Sequence, residues 1–332
     1  MQSQIRNYFK NGCLKKSDRI IGFLFPKLPY YLNAKRIIAF FNKHELKEKT
    51  TVKIKATISE YQYLNKQVLG LKNFLQQNLA NELVAAFVHG SAATDELIPY
   101  SDLDVLVIIK NSVFADKKKL LHVAEKLKEA EKFMYEFDLL QHHGWFVLSE
   151  KELMHYDNNY FPAELFEHCK SLLTNRIVNL DISLAVNNFS QSVQLKNICS
   201  SILRKTATGI CPSTMYHLKI LLSEFMLLPS LYVQAKDGKA VFKKFSFQKA
   251  KVDFTDEDWR TMDEVSAIRI HWKQNNISIT NEKIATRLSL FKNVSNLFRS
   301  KVPKDLKEQI NYSFLKRMEA FATICMQKIK NN

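Results

Sequence analysis

The sequence offers no cysteine pair. Its five cysteines (Cys13, Cys169, Cys199, Cys211 and Cys325) are scattered and odd in number, with no Cys-x-x-Cys spacing. That excludes a zinc-ribbon or dithiol redox motif and fits a reducing compartment, so a cytoplasmic location is expected. No run comes near the ~18 consecutive apolar residues that a membrane-spanning helix needs, so no transmembrane segment is expected. Residues 1–10 are too polar to read as a signal peptide. The apolar stretch Ile20 to Phe25 with Leu28 to Leu32 is flanked by basic residues and broken by Pro26 and Pro29. It is expected to pack on the domain rather than enter a membrane. Internal repeats and low-complexity tracts are also lacking. Acidic residues are in deficit: 33 Asp and Glu against 49 Lys and Arg give a net charge of +16. Such an excess suits a phosphate-bearing partner, RNA among them. It equally suits Lys-rich solvated helix faces, because the basic clusters at Lys43 to Lys55, Lys117 to Lys119 and Lys239 to Lys251 contain no unbroken tract.

What is present is ample apolar content, 46% over 332 residues, enough for a globular chain of two domains. Residues 1–50 read as a basic helical N-terminal extension. From Val52 to Leu79 apolar residues recur at helical spacing (Ile54, Ile58, Tyr61, Leu64, Val68, Leu71, Leu75, Leu79), which predicts one long helix. Leu83 to Val88 and Leu103 to Ile109 read as strands buried on both faces. Val113 to Lys132 reads as an amphipathic helix, Phe133 to Leu140 as a third strand, and Gly144 to Leu148 as a fourth. Beyond residue 150 the strand signal fades and helices are expected near 163–173, 190–207, 212–234, 256–273, 280–299 and 304–330. The segment Gln234 to Gln248 reads as a turn at Asp237-Gly238 followed by alternating residues. The expected fold class is α+β, a mixed sheet core over 51–150 followed by an α-helical domain over 151–332.

One stretch, Phe87 to Lys110, carries most of the chemistry. It reads as a strand, Gly90-Ser91, a polar connection, then Asp102-Leu103-Asp104 opening a second strand. Strand alternation turns Asp102 and Asp104 to one face while Leu103, Val105 and Val107 enter the core. Two carboxylates side by side repel each other and become tolerable around a divalent cation, which Mg²⁺ fits through its preference for hard oxygen ligands. Glycine allows close approach of backbone to an anion, and the Ser91 hydroxyl adds a donor. Ser101 is expected to cap the turn and orient Asp102.

This segment resembles the signature of the DNA polymerase β-like nucleotidyltransferase superfamily: an apolar strand, Gly-Ser, a gap of ten residues filled here by Ala92 to Ser101, then Asp-apolar-Asp-apolar. The resemblance implies a nucleotidyltransferase-type core over 51–150 and a helical substrate-binding domain after it. It implies Mg²⁺ or Mn²⁺ held by Asp102 and Asp104, with a third carboxylate from a neighbouring strand. Asp138 in Phe137-Asp138-Leu139 is the candidate, as ligand and as base, and Glu136 is the second choice on strand parity. Gly90 and Ser91 would grip the triphosphate, and Lys244 stands for the basic residue that related enzymes place over it. His89, His142 and His143 are candidates to line the site, against a purely structural role for each; the remaining histidines show no metal-ligand spacing.

The reaction implied is transfer of NMP, most often AMP, from an NTP (ATP above all) to an acceptor hydroxyl, releasing pyrophosphate. Acceptors in such families include small molecules, protein side chains, RNA ends and another nucleotide. The positive charge disfavours a polycationic acceptor and favours an anionic one. Two alternatives stand beside it: a synthase of oligonucleotide or cyclic-nucleotide signals, and a non-catalytic module that binds nucleotide or RNA on the same fold.

Overall fold

The computed structural model describes residues 2–43, 51–173, 177–185, 192–273, 277–289 and 291–330. The chain divides into two compact units. One takes in Met1–Leu97, Ser101–Asn187 and Arg287–Lys292; the other takes in Ile98–Tyr100, Asn188–Thr286 and Asn293–Asn332. This differs from the expected division at residues 50 and 150.

In chain order the first unit contains α1 (Gln2–Asn11), α2 (Lys16–Leu24), α3 (Leu28–Lys43), β1 (Thr51–Ile58), α4 (Lys66–Leu79), β2 (Leu83–His89), β3 (Asp104–Ile109), α5 (Lys117–Phe137), β4 (Phe146–Ser149), β5 (Lys170–Ser171) and β6 (Val178–Ala185). Four strands form a mixed sheet in the order β4-β3-β2-β5, with β3 antiparallel to β2 and parallel to β4. β1 and β6 pair as a separate antiparallel ribbon, from Thr51 opposite Ala185 to Ile58 opposite Val178.

The fold follows from β3 being apolar on both faces. Leu103, Val105, Val107 and Ile109 pack with Ile5 and Phe9 of α1, Ile37 of α3, Leu71 and Leu75 of α4, and Leu120 and Leu127 of α5. Leu106 and Ile108 face the other way, onto Phe87, Leu148, Phe161, Phe166 and Ile182. Each such side chain contributes about 1.5–3 kcal/mol when fully buried. The sheet is thus covered on both sides, and the polar start of β3 is left at its end.

The first helices belong to this core. Ile5, Tyr8 and Phe9 are buried, and the Arg6 guanidinium lies 3.3 Å from the Tyr160 ring centroid while donating to Glu152 Oε1 at 3.3 Å. The apolar turn between α2 and α3 behaves otherwise than expected. Ile20, Leu24, Phe25, Leu28, Tyr31 and Leu32 are exposed rather than packed. Residues 44–50 of the Lys43 to Lys55 cluster lie outside the described residues, as do 190 and 191 of the expected 190–207 helix.

Four other expectations are corrected. The long helix over Val52 to Leu79 is a strand followed by α4. Thr51–Ile58 alternates with β-branched residues, and Asn65 caps α4 by accepting from the N–H groups of Gln67 and Val68. The third strand over Phe133 to Leu140 is not formed, because burial at Leu127, Ala130 and Met134 keeps helical period and α5 runs on to Phe137. Residues 163–173 hold a short 3-10 turn, Ala163–His168, and then β5. The alternating segment after Gly238 is a helix, Lys243–Lys251; Gly238, at φ 72°, ends the helix before it.

The second unit is helical: α6 (Ser192–Thr206), α7 (Met215–Phe225), α8 (Leu228–Asp237), α9 (Lys243–Lys251), α10 (Asp256–Ile270), α11 (Ile279–Arg287), α12 (Lys292–Phe298), α13 (Lys304–Gln309) and α14 (Tyr312–Lys330). Among the described residues, Met215–Asp237 is long and apolar enough by composition to cross a membrane, although its apolar residues are interrupted by polar ones. Its Leu218, Leu221, Leu222, Phe225, Leu228 and Tyr232 are buried in the unit, as in a core helix.

A buried ion pair lies inside this unit. Arg299 Nη1 donates to Glu282 Oε2 at 2.9 Å, the Ser300 N–H donates to the other carboxylate oxygen at 2.8 Å, and the guanidinium lies 3.5 Å from the Tyr216 ring centroid. Removing one partner strands a buried charge. Glu282→Ala is expected to lower stability by about 3–5 kcal/mol, read as an earlier urea midpoint by circular dichroism. A midpoint equal to that of the parent would show the pair to be solvated.

Candidate active site

The site is built where β2 ends and β3 begins. β2 runs out at His89, and Gly90 turns the chain with φ 72°, the left-handed region open to glycine at little steric cost. Gly90–Ala92 form a short 3-10 turn closed by the Ala93 N–H donating to the Gly90 carbonyl at 3.0 Å. The Glu96 N–H donates to the Ser91 carbonyl at 3.0 Å, and Asp95 takes φ 56° to bring the connection back. Ser91 Oγ donates to Ser101 Oγ at 2.9 Å, so the two ends of the connection are tied together.

Asp104 opens β3 directly opposite His89. A Cβ added to Gly90 would stand 3.6 Å from Asp104 Oδ2. The first carboxylate-bearing strand and the Gly-Ser turn are therefore immediate neighbours, as the sequence signature requires. Between the two carboxylates, Leu103 is held on both backbone groups by one side chain. Its N–H donates to Gln141 Oε1 at 3.2 Å, and its carbonyl accepts from Gln141 Nε2 at 3.0 Å. The same amide nitrogen donates to the His143 carbonyl at 3.0 Å.

That clamp brings the 138–143 turn beside Asp102. Asp102 Oδ2 lies 4.0 Å from His142 Nδ1 and 4.0 Å from His143 Nε2, with the two imidazole centroids 3.9 Å apart. Among the described residues these three form the group whose ligand-type atoms could share one ion, all within 4.8 Å of one another.

The other sequence candidates have surroundings of their own. Asp138 is not on a strand. It follows the last turn of α5, is 1% exposed, and accepts from the Leu140 N–H at 3.1 Å. It closes the turn that carries Gln141, His142 and His143, and it is not in the three-residue group. Glu136 is exposed on α5, so the parity argument for it lapses with the strand. His89 packs edge-on against Phe161 at 5.0 Å, with its Nδ1 3.9 Å from Cys169 Sγ. Burial pushes the Cys169 thiol up, against the smaller pull of Lys170, so this contact is not a thiolate–imidazole dyad. Lys244 is exposed on α9 of the second unit.

Sequence reasoning missed Gln141. A neutral amide carries no chemical signature, and only the turn brings it under Leu103. His142 and His143 are candidates from the sequence, and the Gln141 clamp on Leu103 supplies their reason. β3 and β4 pair from Leu106 opposite Phe146, and ahead of that pairing the Gln141 amide on Leu103 holds the chain that carries both imidazoles beside Asp102.

Residues 70–151 match the family described as "Polymerase beta, Nucleotidyltransferase". This segment is a nucleotidyltransferase domain of the DNA polymerase β-like superfamily. Among solved structures, the chain is similar to spectinomycin adenyltransferase AAD(9) from Enterococcus faecialis, determined with ATP and spectinomycin. The identity is 14% and the TM-score 0.36, over 70% of this chain and 98% of that one. No curated protein matches the chain.

Gln141→Ala is expected to leave the Leu103 N–H and carbonyl buried without their partner, at about 1–3 kcal/mol for each group. The readout is the urea midpoint; a change under about 0.5 kcal/mol would show that water replaces the amide at no cost.

Proposed function

We propose that the chain is a metal-dependent nucleotidyltransferase that moves NMP, with AMP as the working assignment, from an NTP to an acceptor hydroxyl. The observation that carries this reading is Asp104 set against Gly90, with Asp102 two residues back on the clamped strand entry.

In the proposed reaction the acceptor oxygen bonds to the α-phosphorus and the bond from that phosphorus to the α,β-bridging oxygen breaks. Pyrophosphate leaves with the bond's electron pair, and the hydroxyl proton passes to a basic group of the site. Gly90, whose missing Cβ leaves the turn open, and the Ser91 hydroxyl would bind the triphosphate. Ser101 positions Ser91, and Gln141 positions the two carboxylates. Asp102, His142 and His143 present one oxygen and two nitrogen donors within 4.8 Å of one another, a set that fits a divalent cation. Asp104 would complete it. A divalent cation bound there neutralises the triphosphate and polarises its phosphoryl oxygens. Asp138, which the sequence suggested as the base, acts in this reading as a positioning residue for the turn.

The acceptor class is read from charge alone. A net charge of +16 disfavours a polycationic acceptor and favours an anionic one such as an RNA end or an acidic small molecule.

Two measurements test the reading. Thermal unfolding with each NTP should show a shift that requires a divalent cation, worth about 2.7 kcal/mol at a ligand concentration of one hundred Kd. Asp102→Asn and Asp104→Asn should each abolish that shift and cut pyrophosphate release about a hundredfold or more, the order expected when a group that stabilises developing charge is lost. The variants should keep the parent melting point without ligand, because they relieve carboxylate repulsion. Full release by both variants would overturn the site assignment. Nucleotide-only products formed without an acceptor would favour the oligonucleotide synthase, and cation-independent nucleotide or RNA binding without turnover the non-catalytic module.

A further inference from the structure

Resting on the proposed metal-dependent reading, we infer that His142 and His143 are metal ligands together with Asp102, and that they select a borderline transition-metal ion over Mg²⁺. The argument begins with position. The two imidazoles stand beside Asp102, His142 Nδ1 and His143 Nε2 each 4.0 Å from its Oδ2, whereas the sequence resemblance asks for a third carboxylate beside the Asp pair. Asp138 does not fill that place, being buried at the end of α5 and engaged with the Leu140 N–H.

Geometry gives the second step. Two adjacent residues in a regular strand point to opposite faces, yet both imidazoles approach the same carboxylate oxygen, each at 4.0 Å. They can do so because residues 138–145 are a short turn at 139–140 followed by irregular chain rather than a strand, held by Asp138 and by Gln141 on the His143 carbonyl. The separations are too long for direct hydrogen bonds. Ligand atoms around an ion with bonds of ~2.1 Å stand about 3.0–3.4 Å apart, so rotamer adjustments that shorten the present separations, 4.8 Å at most, by about 1–2 Å would close the three donors on one ion. The His142 side chain is 8% exposed and Asp102 25%, so the donors are largely shielded, while His143 at 42% leaves a path to solvent.

Donor chemistry gives the third. Mg²⁺ prefers oxygen ligands and retains its waters. Imidazole nitrogens suit Co²⁺, Ni²⁺ and Zn²⁺, and affinity for such sites rises from Mn²⁺ toward Cu²⁺. A site with two nitrogen donors and one carboxylate should therefore rank Co²⁺ and Zn²⁺ well above Mg²⁺.

The test is calorimetric titration of the full-length, metal-stripped protein with Co²⁺, Zn²⁺ and Mg²⁺, together with the visible d–d spectrum of the Co²⁺ form. The parent is expected to bind Co²⁺ and Zn²⁺ at least roughly tenfold more tightly than Mg²⁺. The His142→Asn/His143→Asn double variant should lose that difference and the intense Co²⁺ absorption, while its Mg²⁺ affinity changes by less than about threefold. Should the double variant fail to fold by circular dichroism, the single His143→Asn variant, at the more exposed position, carries the test through a weakened and shifted Co²⁺ spectrum. Equal affinities for Co²⁺ and Mg²⁺ in the parent, or a Co²⁺ spectrum unchanged by the substitutions, would overturn the inference; in the latter case the ion sits on other histidines. The two readings fail separately. NTP-dependent pyrophosphate release in Mg²⁺ without a Co²⁺ spectrum removes the histidine ligands and leaves nucleotidyl transfer standing. A histidine-dependent Co²⁺ spectrum with no response to any NTP does the reverse.

Discussion

The site depends on keeping two like-charged side chains at the entry of a strand that is otherwise apolar on both faces. β3 cannot slip or fray at that end without exposing Val105 or dragging a carboxylate inward. Its register is therefore fixed from three sides: by β2 opposite His89, by β4 in parallel, and by the Gln141 amide on both backbone groups of Leu103. The core supplies the energy, but the amide sets the placement. Without it the carboxylates would sit on a loop, where the entropy of ordering them would oppose any ion they hold.

The same economy governs the Gly-Ser turn. Gly90 is required by its backbone angle and not by crowding, since a Cβ there would make only ordinary contact with Asp104 Oδ2. Ser91 and Ser101 close the connection between the turn and the carboxylates with one hydrogen bond. Distance in the chain between the two halves of the signature is cancelled by a contact between small polar side chains, and the intervening residues need not be ordered by the sheet itself.

The two strands and the signature were legible in the sequence because each is locally encoded: an unbroken apolar run, a glycine, and carboxylates two residues apart. β1 and β6 were not, since each reads ambiguously by itself and their pairing joins segments more than a hundred residues apart. Two-residue β5 carries no periodicity to detect. The strand expected over Phe133 to Leu140 fails for a definite cause. Phe133 to Leu140 is rich in aromatic and apolar residues, which favours a strand by propensity, but helical burial at Ala130 and Met134 decides otherwise. The strand argument for a third acid goes with the strand, and the imidazoles beside Asp102 emerge only from the fold of the chain after α5.

Tyr100 lies between Ser91 and Asp102 in the chain, yet it belongs to the helical unit. Its hydroxyl donates to the Lys219 carbonyl at 2.5 Å, its own carbonyl accepts from the fully buried Lys219 Nζ at 2.7 Å, and Trp272 meets its ring edge-on at 5.0 Å. Residues 98–100 of the signature segment are thus counted with the helical unit, while Ser91 and Asp102 are counted with the sheet unit. An insertion beside Tyr100 would have to preserve both of its hydrogen bonds to Lys219, so the length of this segment is constrained by a residue far from it in the chain.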